Sequence, residues 1–267
     1  MNAYVLDREN DEVDTIDSSS RQVVKRRKLP GVPTDLVVAD DHHLWVGCGD
    51  DRLVDIDLTS HKQVVTKTQI PPNYVAVLPH EVVIRANPDN GGRLQRVDIR
   101  THRVTSKVVK IGGAPSDLVS NGLGVWVLMA FPPTVVRDSA ALEQQEFHRL
   151  NTDGVPPEMT YDGTDLWVSL YDTGQVGRFD VVTSKTVGKP VKVGRKPNGI
   201  AYDLDTRSVW VADTGDETVT RLDGRTGRAI ARVSAKGPLE GALAASGGVV
   251  WAAGTNDVVR IQPVGSS

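Results

Sequence analysis

Short apolar runs recur along the chain at a nearly constant spacing. Seven such runs follow one another: Ala3-Tyr4-Val5, Leu44-Trp45-Val46, Val82-Val83-Ile84, Val125-Trp126-Val127, Leu166-Trp167-Val168, Val209-Trp210-Val211 and Val250-Trp251-Ala252. Successive runs start 41, 38, 43, 41, 43 and 41 residues apart, and all five tryptophans lie on them. A period of about 40–45 residues built from short strands is typical of propeller blades. The pattern therefore predicts an all-β chain that forms a β-propeller.

The segment 196–236 shows the repeat most clearly. Alternating and β-branched stretches separated by polar turns predict four antiparallel strands: Lys196–Asp203, Val209–Asp213, Val219–Asp223 and Ala229–Val233. Because the second strand carries the apolar run, it is expected in the interior. We therefore expect the five tryptophans to be buried between adjacent sheets.

The number of blades follows from counting strands. A first strand follows a proline six times, at Pro33, Pro72, Pro115, Pro156, Pro197 and Pro238, whereas the second strand occurs seven times. We predict one propeller domain over residues 1–267 that begins and ends within incomplete blades. Seven blades of mostly four antiparallel strands is the first interpretation. Six blades, with an N-terminal strand completing the last one, is the alternative.

The predicted third strands share the pattern apolar-x-Arg-apolar-Asp, with small changes. It occurs at Val13–Asp17, Leu53–Asp57, Leu94–Asp98, Val176–Asp180, Val219–Asp223 and Val258–Gln262. A single-residue catalytic role would not be repeated in this way. These positions are best interpreted as turn caps and edge charges.

One repeat, at 115–154, departs from the others. Its best third-strand match is Phe147–Asn151, which predicts a blade without an outer strand. On this alignment Phe131–Glu146 is an inserted loop with a short helix-prone stretch at Ser139–Glu146. Loops that interrupt a repeat often carry specificity, so the 131–146 loop is a candidate contact for a protein or small-molecule partner. A tolerated surface insertion is the alternative.

Charge and composition exclude several classes of function. The net charge is -3 and the pI is about 6.1, which argues against nucleic-acid binding. The one basic cluster, Lys25–Lys28, is interpreted as a solvated edge strand. No apolar run is long enough to predict a membrane helix, and no signal peptide is recognisable. Because the chain starts inside a repeat, we expect it to be part of a longer protein.

The repeats resemble a known family. Val193-Gly194-x-x-Pro197-x-Gly199-Ile200-Ala201, then Val209–Asp213 and Val219–Asp223, are similar to the YVTN and NHL-type repeats of bacterial β-propellers. The resemblance implies relatives among extracytoplasmic sensor domains of kinases, surface-layer proteins and streptogramin lyases, and it favours an extracytoplasmic location.

The lyase branch of that family can be tested on residues. The resemblance would place a metal-binding histidine directly after an inner-strand proline. This chain has Thr34, Asn73, Ser116, Pro157, Asn198 and Leu239 at those places, and its six histidines lie elsewhere. These departures argue against lyase activity.

Candidate binding residues stand two positions after each inner-strand proline. They are Asp35, Tyr74, Asp117, Glu158, Gly199 and Glu240, of which four are carboxylates. Equivalent inner-strand positions are expected at one height around the axis of a propeller. We therefore predict a ligand- or cation-binding site at a channel mouth, formed by Asp35, Tyr74, Asp117, Glu158, Asn198 and Glu240. Ca²⁺, Mg²⁺ or a cationic ligand would suit such oxygen atoms, and a merely electronegative channel is the alternative.

Three functions remain open from the sequence. The first is a non-catalytic ligand- or protein-binding propeller, as in the sensor or recognition domain of a larger bacterial protein. The second is a metal-dependent lyase, lactonase or hydrolase with its site at the channel mouth. The third is a structural surface or scaffold protein. No zinc-type Cys/His spacing and no Gly-rich phosphate loop is present, and no catalytic residue is predicted.

Overall fold

The chain forms seven antiparallel sheets and has the seven-bladed β-propeller fold. The computed structural model describes residues 2–39, 42–86, 91–139, 145–150, 152, 154–255 and 257–262. Within these ranges there are 27 strands and no helices. The prediction of seven blades is confirmed, and the six-bladed alternative is wrong because the first and last strands belong to separate sheets.

The first three sheets are built from consecutive strands. Their strands are β1 (Asn2–Asp7), β2 (Glu12–Asp17), β3 (Val23–Lys28); β4 (Pro33–Ala39), β5 (His43–Cys48), β6 (Arg52–Asp57), β7 (Gln63–Lys67); and β8 (Tyr74–Val77), β9 (Glu81–Ala86), β10 (Gly92–Asp98), β11 (Val109–Gly112). The first sheet has three strands, and its first strand β1 carries the apolar run Ala3-Tyr4-Val5.

The other four sheets follow the same order. Their strands are β12 (Pro115–Ser120), β13 (Gly124–Met129), β14 (Thr134–Ser139), β15 (Gln145–Arg149); β16 (Met159–Tyr161), β17 (Asp165–Leu170), β18 (Gln175–Asp180), β19 (Lys185–Thr186), β20 (Val191–Lys192); β21 (Pro197–Asp203), β22 (Ser208–Asp213), β23 (Thr218–Asp223), β24 (Ala229–Ser234); and β25 (Leu239–Ser246), β26 (Val249–Gly254), β27 (Val258–Ile261). β19 and β20 both pair with β18, so the outer strand of the fifth sheet is divided.

The chain separates into two compact units. The first unit contains residues 1–125 and 138–145, and the second contains residues 126–137 and 146–267. Each unit has apolar clusters of its own. In the first, Trp45 packs with Leu53, Ile84 and Val97, and in the second, Trp210 packs with residues such as Val250. The sites below are therefore described unit by unit.

The second strand of each blade carries the buried side chains. Trp45, Trp126, Trp167 and Trp210 are at most 1% exposed, as predicted. Trp251 departs from the prediction, because it is only half-buried. It lies on β26, and the described part of its sheet has three strands, so fewer neighbours cover the ring.

The fourth sheet corrects the prediction of a loop at residues 131–146. Thr134–Ser139 forms the third strand β14, and the segment containing Phe147 forms the outer strand β15. Val135 and Val136 are fully buried, which explains why this β-branched stretch takes the third-strand place. The alignment missed it because Asp138 stands where the pattern has an apolar residue. The helix-prone stretch falls largely on residues 140–144, outside the described residues.

The repeated aspartates cap hairpins, as predicted. In five third strands the terminal aspartate accepts a hydrogen bond of 2.6–2.8 Å from the backbone N–H three residues later; these aspartates are Asp17, Asp57, Asp98, Asp180 and Asp223. Hydrogen bonds to the ionised form hold the pKa of each carboxyl below its usual value. Their repetition is explained by turn geometry.

The basic cluster forms the exposed outer strand β3, as predicted. Arg26 lies 3.5 Å from Asp14 and Lys28 lies 3.6 Å from Glu12, both across the β2–β3 pair. Half of the cluster is therefore neutralised within its own sheet, which supports the edge-strand interpretation over binding of a polyanion. No helix that is long and apolar enough to cross a membrane occurs among the described residues.

Candidate functional site

Three of the predicted site residues come together in the first unit. β8 packs against both β4 and β12, which brings the inner strands of three consecutive sheets side by side. Asp35 lies on β4, Tyr74 begins β8, and Asp117 lies on β12. The fold thus places these repeat-equivalent positions around a common region.

Asp35 is held by backbone hydrogen bonds at both oxygens. Its Oδ1 accepts from the N–H of Leu36 at 2.9 Å, and its Oδ2 accepts from the N–H of Val75 at 2.8 Å. The second bond crosses from β4 to β8 and fixes the carboxyl next to Tyr74. The side chain is half-buried, so part of it still reaches solvent.

Arg85 occupies the centre of this cluster. The residue is 1% exposed, and its guanidinium lies 3.8 Å from the centre of the Tyr74 ring. Nη1 donates to the carbonyl oxygen of Pro115 at 2.6 Å, and Nη2 donates to that of Ser116 at 3.3 Å. Its Nε, also buried, has no hydrogen-bond partner among the described residues.

Arg85 therefore has a structural role as well as a chemical one. It ties β9 to the inner strand of the next sheet. Thr34 and Ser169 make comparable ties, because Thr34 Oγ1 donates to Pro72 O at 2.6 Å and Ser169 Oγ donates to Asn198 O at 2.7 Å. At the place equivalent to Arg85 in the second sheet, a Cβ on Gly47 would overlap Pro72 O. Inner strands approach closely at Gly47, and at this place Arg85 and Ser169 carry side chains that hydrogen-bond the neighbouring inner strand.

Asp117 is the most buried of the three predicted site residues in this cluster. It is 8% exposed, and its Oδ1 accepts from the N–H of Leu118 at 2.7 Å. Its charge acts on both neighbours: it raises the pKa of Asp35 and attracts the guanidinium of Arg85. Two carboxyls and one guanidinium thus share a poorly solvated space.

Burial is the main electrostatic effect at this site. It raises the pKa of Asp35 to about 7; the Val75 N–H opposes this shift and the charge of Asp117 adds to it. Burial also lowers the pKa of Arg85, against the attraction of Tyr74, Asp117 and Asp35. Arginine nevertheless stays protonated in proteins. Asp35 is therefore poised to gain or lose a proton near neutral pH.

The stability of the protein should fall as the pH rises from about 4 to about 7. Because the native state binds the Asp35 proton more tightly than the unfolded state, this contribution is complete below pH 3.8 and is lost as the pH passes 7. A shift of this size corresponds to at most about 4 kcal/mol, and solvent contact reduces it to about 1–3 kcal/mol. Urea denaturation across this range measures the slope.

The matched variant for this prediction is Asp35→Asn. It should flatten the profile between pH 4 and 7, leaving the smaller slope from Asp138, whose pKa burial raises to about 6. An unchanged slope in Asp35→Asn would show that Asp35 is ionised throughout this range.

The second unit holds the other three predicted residues, and it arranges them differently. Glu158 is half-buried, and its Oε2 accepts from the N–H of Ile200 at 3.4 Å. The Asn198 side chain packs against Gly241, where a Cβ would lie 2.5 Å from Asn198 Nδ2. Glu240 is exposed and its Oε1 accepts from Thr255 Oγ1 at 3.0 Å. Glu158 and Asn198 therefore contact the inner strand of the next sheet, and Glu240 contacts the turn after β26 of its own sheet.

The residues of the first unit do not fit a divalent cation. Arg85 already places a positive charge beside Asp35 and Asp117, and backbone N–H groups hold both carboxyls. No three His, Cys, Asp or Glu side chains in the described part of the chain are grouped so that they could hold a metal ion. The arrangement suits a polar organic ligand with hydrogen-bonding groups better than Ca²⁺ or Mg²⁺.

The sequence analysis missed Arg85, although a signal was present. The residue directly after the apolar run of the second strand is Gly47, Leu128, Ser169, Ala212 or Ala253 in the other blades that have an inner strand. Arg85 is the charged exception among these repeat-equivalent positions. A charged side chain is rarely buried unless it has a hydrogen-bonding or oppositely charged partner. A charge at this repeat position therefore indicates that such a partner is present.

The histidines lie away from the inner strands' proline positions. His43 Nδ1 and His102 Nε2 each lie 2.8 Å from a carboxylate oxygen of Asp55, which is 3% exposed. The His102 ring also stacks on Trp45, with ring centres 5.5 Å apart. The two imidazole rings thus hydrogen-bond the buried carboxylate of Asp55, and the His102 ring also packs against the interior.

Comparison with known proteins identifies the fold. No protein-family model matches the sequence, and no curated protein matches it significantly. Among solved structures, the chain is similar to hydrazine synthase of Kuenenia stuttgartiensis (14% identity, 98% of this chain and 92% of that one, TM-score 0.80). It is also similar to virginiamycin B lyase of Staphylococcus aureus (14%, 97% and 90%, 0.78) and to a chain of the mitotic checkpoint complex (13%, 97% and 84%, 0.80). Because these proteins differ in function and share little sequence, the likeness shows the β-propeller fold alone.

Proposed function

We propose that this chain is a non-catalytic binding propeller with a ligand site on the inner strands of its first unit. The observation that carries the proposal is the convergence of Asp35, Tyr74 and Asp117 on the buried Arg85. Four polar or charged side chains at this place are costly to desolvate, and the fold alone does not require them.

The chemistry of the site favours a small polar ligand. Asp35 keeps partial contact with solvent, and its pKa of about 7 lets it donate or accept a hydrogen bond near neutral pH. The guanidinium of Arg85 covers one face of the Tyr74 ring. The buried Nε–H of Arg85 donates no hydrogen bond to any residue that the structure describes. A buried donor without an acceptor typically lowers the free energy of unfolding by about 1–3 kcal/mol. A ligand with an acceptor and a donor complements these groups.

The wider role proposed for the chain is recognition within a larger bacterial protein. The likeness of its repeats to YVTN and NHL-type propellers supports a sensor or recognition domain. Glu158, Asn198 and Glu240 remain proposed contacts of the second unit, for a ligand or a protein partner.

A ligand screen by thermal denaturation tests the proposal. Small polar metabolites, together with CaCl₂ and MgCl₂, are added to wild type, Asp35→Asn, Asp117→Asn and Glu9→Gln. Glu9 is exposed in a hairpin, so Glu9→Gln is the control for loss of one carboxylate. We expect a metabolite that raises the Tm of wild type and Glu9→Gln and has no effect on the two site variants. If no compound discriminates the variants in this way, the proposed site is wrong.

A further inference from the structure

An apolar pocket opens beside the outer edge of the fifth sheet, within the second unit. It surrounds Gly177 and is lined by Leu150, Val168, Leu170, Phe179, Thr186 and Pro190. The cavity volume is about 20 Å³, so the pocket is small. Nearly all of the lining atoms are apolar, so the pocket suits an aliphatic group and offers little to a polar one.

The pocket exists because one repeat position lacks a side chain. Gly177 is the second residue of the third-strand pattern. The equivalent residues Val54, Gln95 and Thr220 are at most 2% exposed, so their side chains are buried within their own blades. A Cβ built on Gly177 would meet only Leu170 Cδ1, at 3.8 Å. This blade therefore has no side chain at a position where other blades have a buried one. A side chain from a partner molecule can occupy the space.

The outer strand is interrupted at the same place. β19 pairs with Phe179 and Asp180, and β20 pairs with Gln175 and Val176, so Gly177 has no partner residue in the outer strand. In the sixth sheet, by contrast, β24 pairs along β23 from Thr218 to Leu222. Val187 N–H still donates to Arg178 O at 2.8 Å, but residues 188–190 form no strand, and Pro190 among them lines the pocket.

The edge around the pocket carries a local excess of positive charge. Residues 181–202 contain five basic residues and no acidic one, in a chain with a net charge of -3. Two of the five have partners, because Arg195 pairs with Asp216 and Lys196 lies over Tyr171. The other three, all exposed, make no ion pair with any residue that the structure describes: Lys185, Lys189 and Lys192.

Two of these lysines flank the pocket. Lys189 directly precedes the lining residue Pro190. Lys192 stands opposite Gln175, which shares a strand face with Gly177 because side chains alternate along β18. An aliphatic group in the pocket would therefore have ammonium groups on its borders.

We propose that this edge binds an acidic segment of a partner protein, with one aliphatic side chain of that segment seated in the Gly177 pocket. The apolar lining favours binding of the aliphatic side chain. The lysines that make no ion pair favour carboxylates next to that side chain in the segment. An extended segment also suits the edge, because β19 and β20 together pair with only four residues of β18. This surface is separate from the ligand site proposed above and does not depend on it.

Selection from a phage-displayed library of random linear peptides tests the proposal. We expect the peptides enriched on the wild-type protein to share acidic residues next to an aliphatic residue. Gly177→Val fills the pocket with the side chain that the second sheet has at Val54, so it should weaken the selected peptides at least about tenfold. Its circular dichroism and Tm should match or exceed those of wild type.

A second variant tests the charge without touching the interior. Lys189→Glu with Lys192→Glu should weaken the same peptides at least about tenfold, and added NaCl should weaken wild-type binding. The control is Lys62→Glu with Lys67→Glu, which makes the same change of charge at exposed positions near β7. Failure to enrich an acidic peptide with an aliphatic residue would overturn the proposal. So would binding that survives in Gly177→Val or falls equally in the control.

Discussion

Trp210→Ala is expected to lower the free energy of unfolding by about 3–5 kcal/mol. Trp210 is fully buried on β22 and packs with Val219, Leu239 and Val250. Removing the indole leaves a cavity that two packed sheets cannot close, so the lost contacts are not recovered. Urea denaturation monitored by far-ultraviolet circular dichroism measures the change.

Trp251→Ala is the matched control for this prediction. Trp251 stands at the equivalent repeat position on β26 but is only half-buried. Its truncation should therefore cost clearly less than that of Trp210. Equal losses from the two variants would contradict the view that burial between sheets sets the contribution of this position.

Arg85→Met is expected to lower the free energy of unfolding by about 3–5 kcal/mol at pH 8. The substitution removes the positive charge beside Asp35 and Asp117. It also leaves the carbonyl oxygens of Pro115 and Ser116 without their donors. The loss should be smaller at pH 5, because Asp35 is then largely protonated.

Two further variants make this prediction specific. Arg85→Met combined with Asp35→Asn should cost less than the sum of the single changes, because the pair interacts directly. Arg221→Met is the control: its guanidinium lies 5.2 Å from the centre of the Trp210 ring and bonds Ser208 Oγ. A loss that does not depend on pH, or that Arg221→Met reproduces, would mean that Arg85 contributes packing and not charge.

The repeat architecture could be predicted from the sequence alone. Strand positions, the buried second strands and the hairpin caps depend on residues close together in the chain. Asp57 and Ser60, for example, make the same local hydrogen bond that Asp223 and Thr226 make in another blade. Periodicity of apolar residues and turn chemistry report such local interactions directly, which is why seven blades could be counted.

The fourth blade shows where local pattern failed. Val135 and Val136 form the third strand although Asp138 breaks the expected motif. Asp138 is tolerated because it lies 3.5 Å from Arg96, a residue 42 positions away in the chain. The burial of the two valines and that distant partner decided the register, and neither is visible in the repeat itself.

The candidate sites depended on tertiary structure for the same reason. The sequence placed Asp35, Tyr74 and Asp117 at equivalent positions, but only the packing of β8 against β4 and β12 brought them around Arg85. Gly177 is likewise an ordinary glycine in the sequence. In the structure it lines a pocket, at the place where the outer strand is divided into β19 and β20. Repeat periodicity determined which residues are equivalent. Contacts between residues far apart in the chain decided which of them interact electrostatically, form a hydrogen bond or line the same cavity. The energies of these interactions depend on distances in space, which a one-dimensional pattern does not contain.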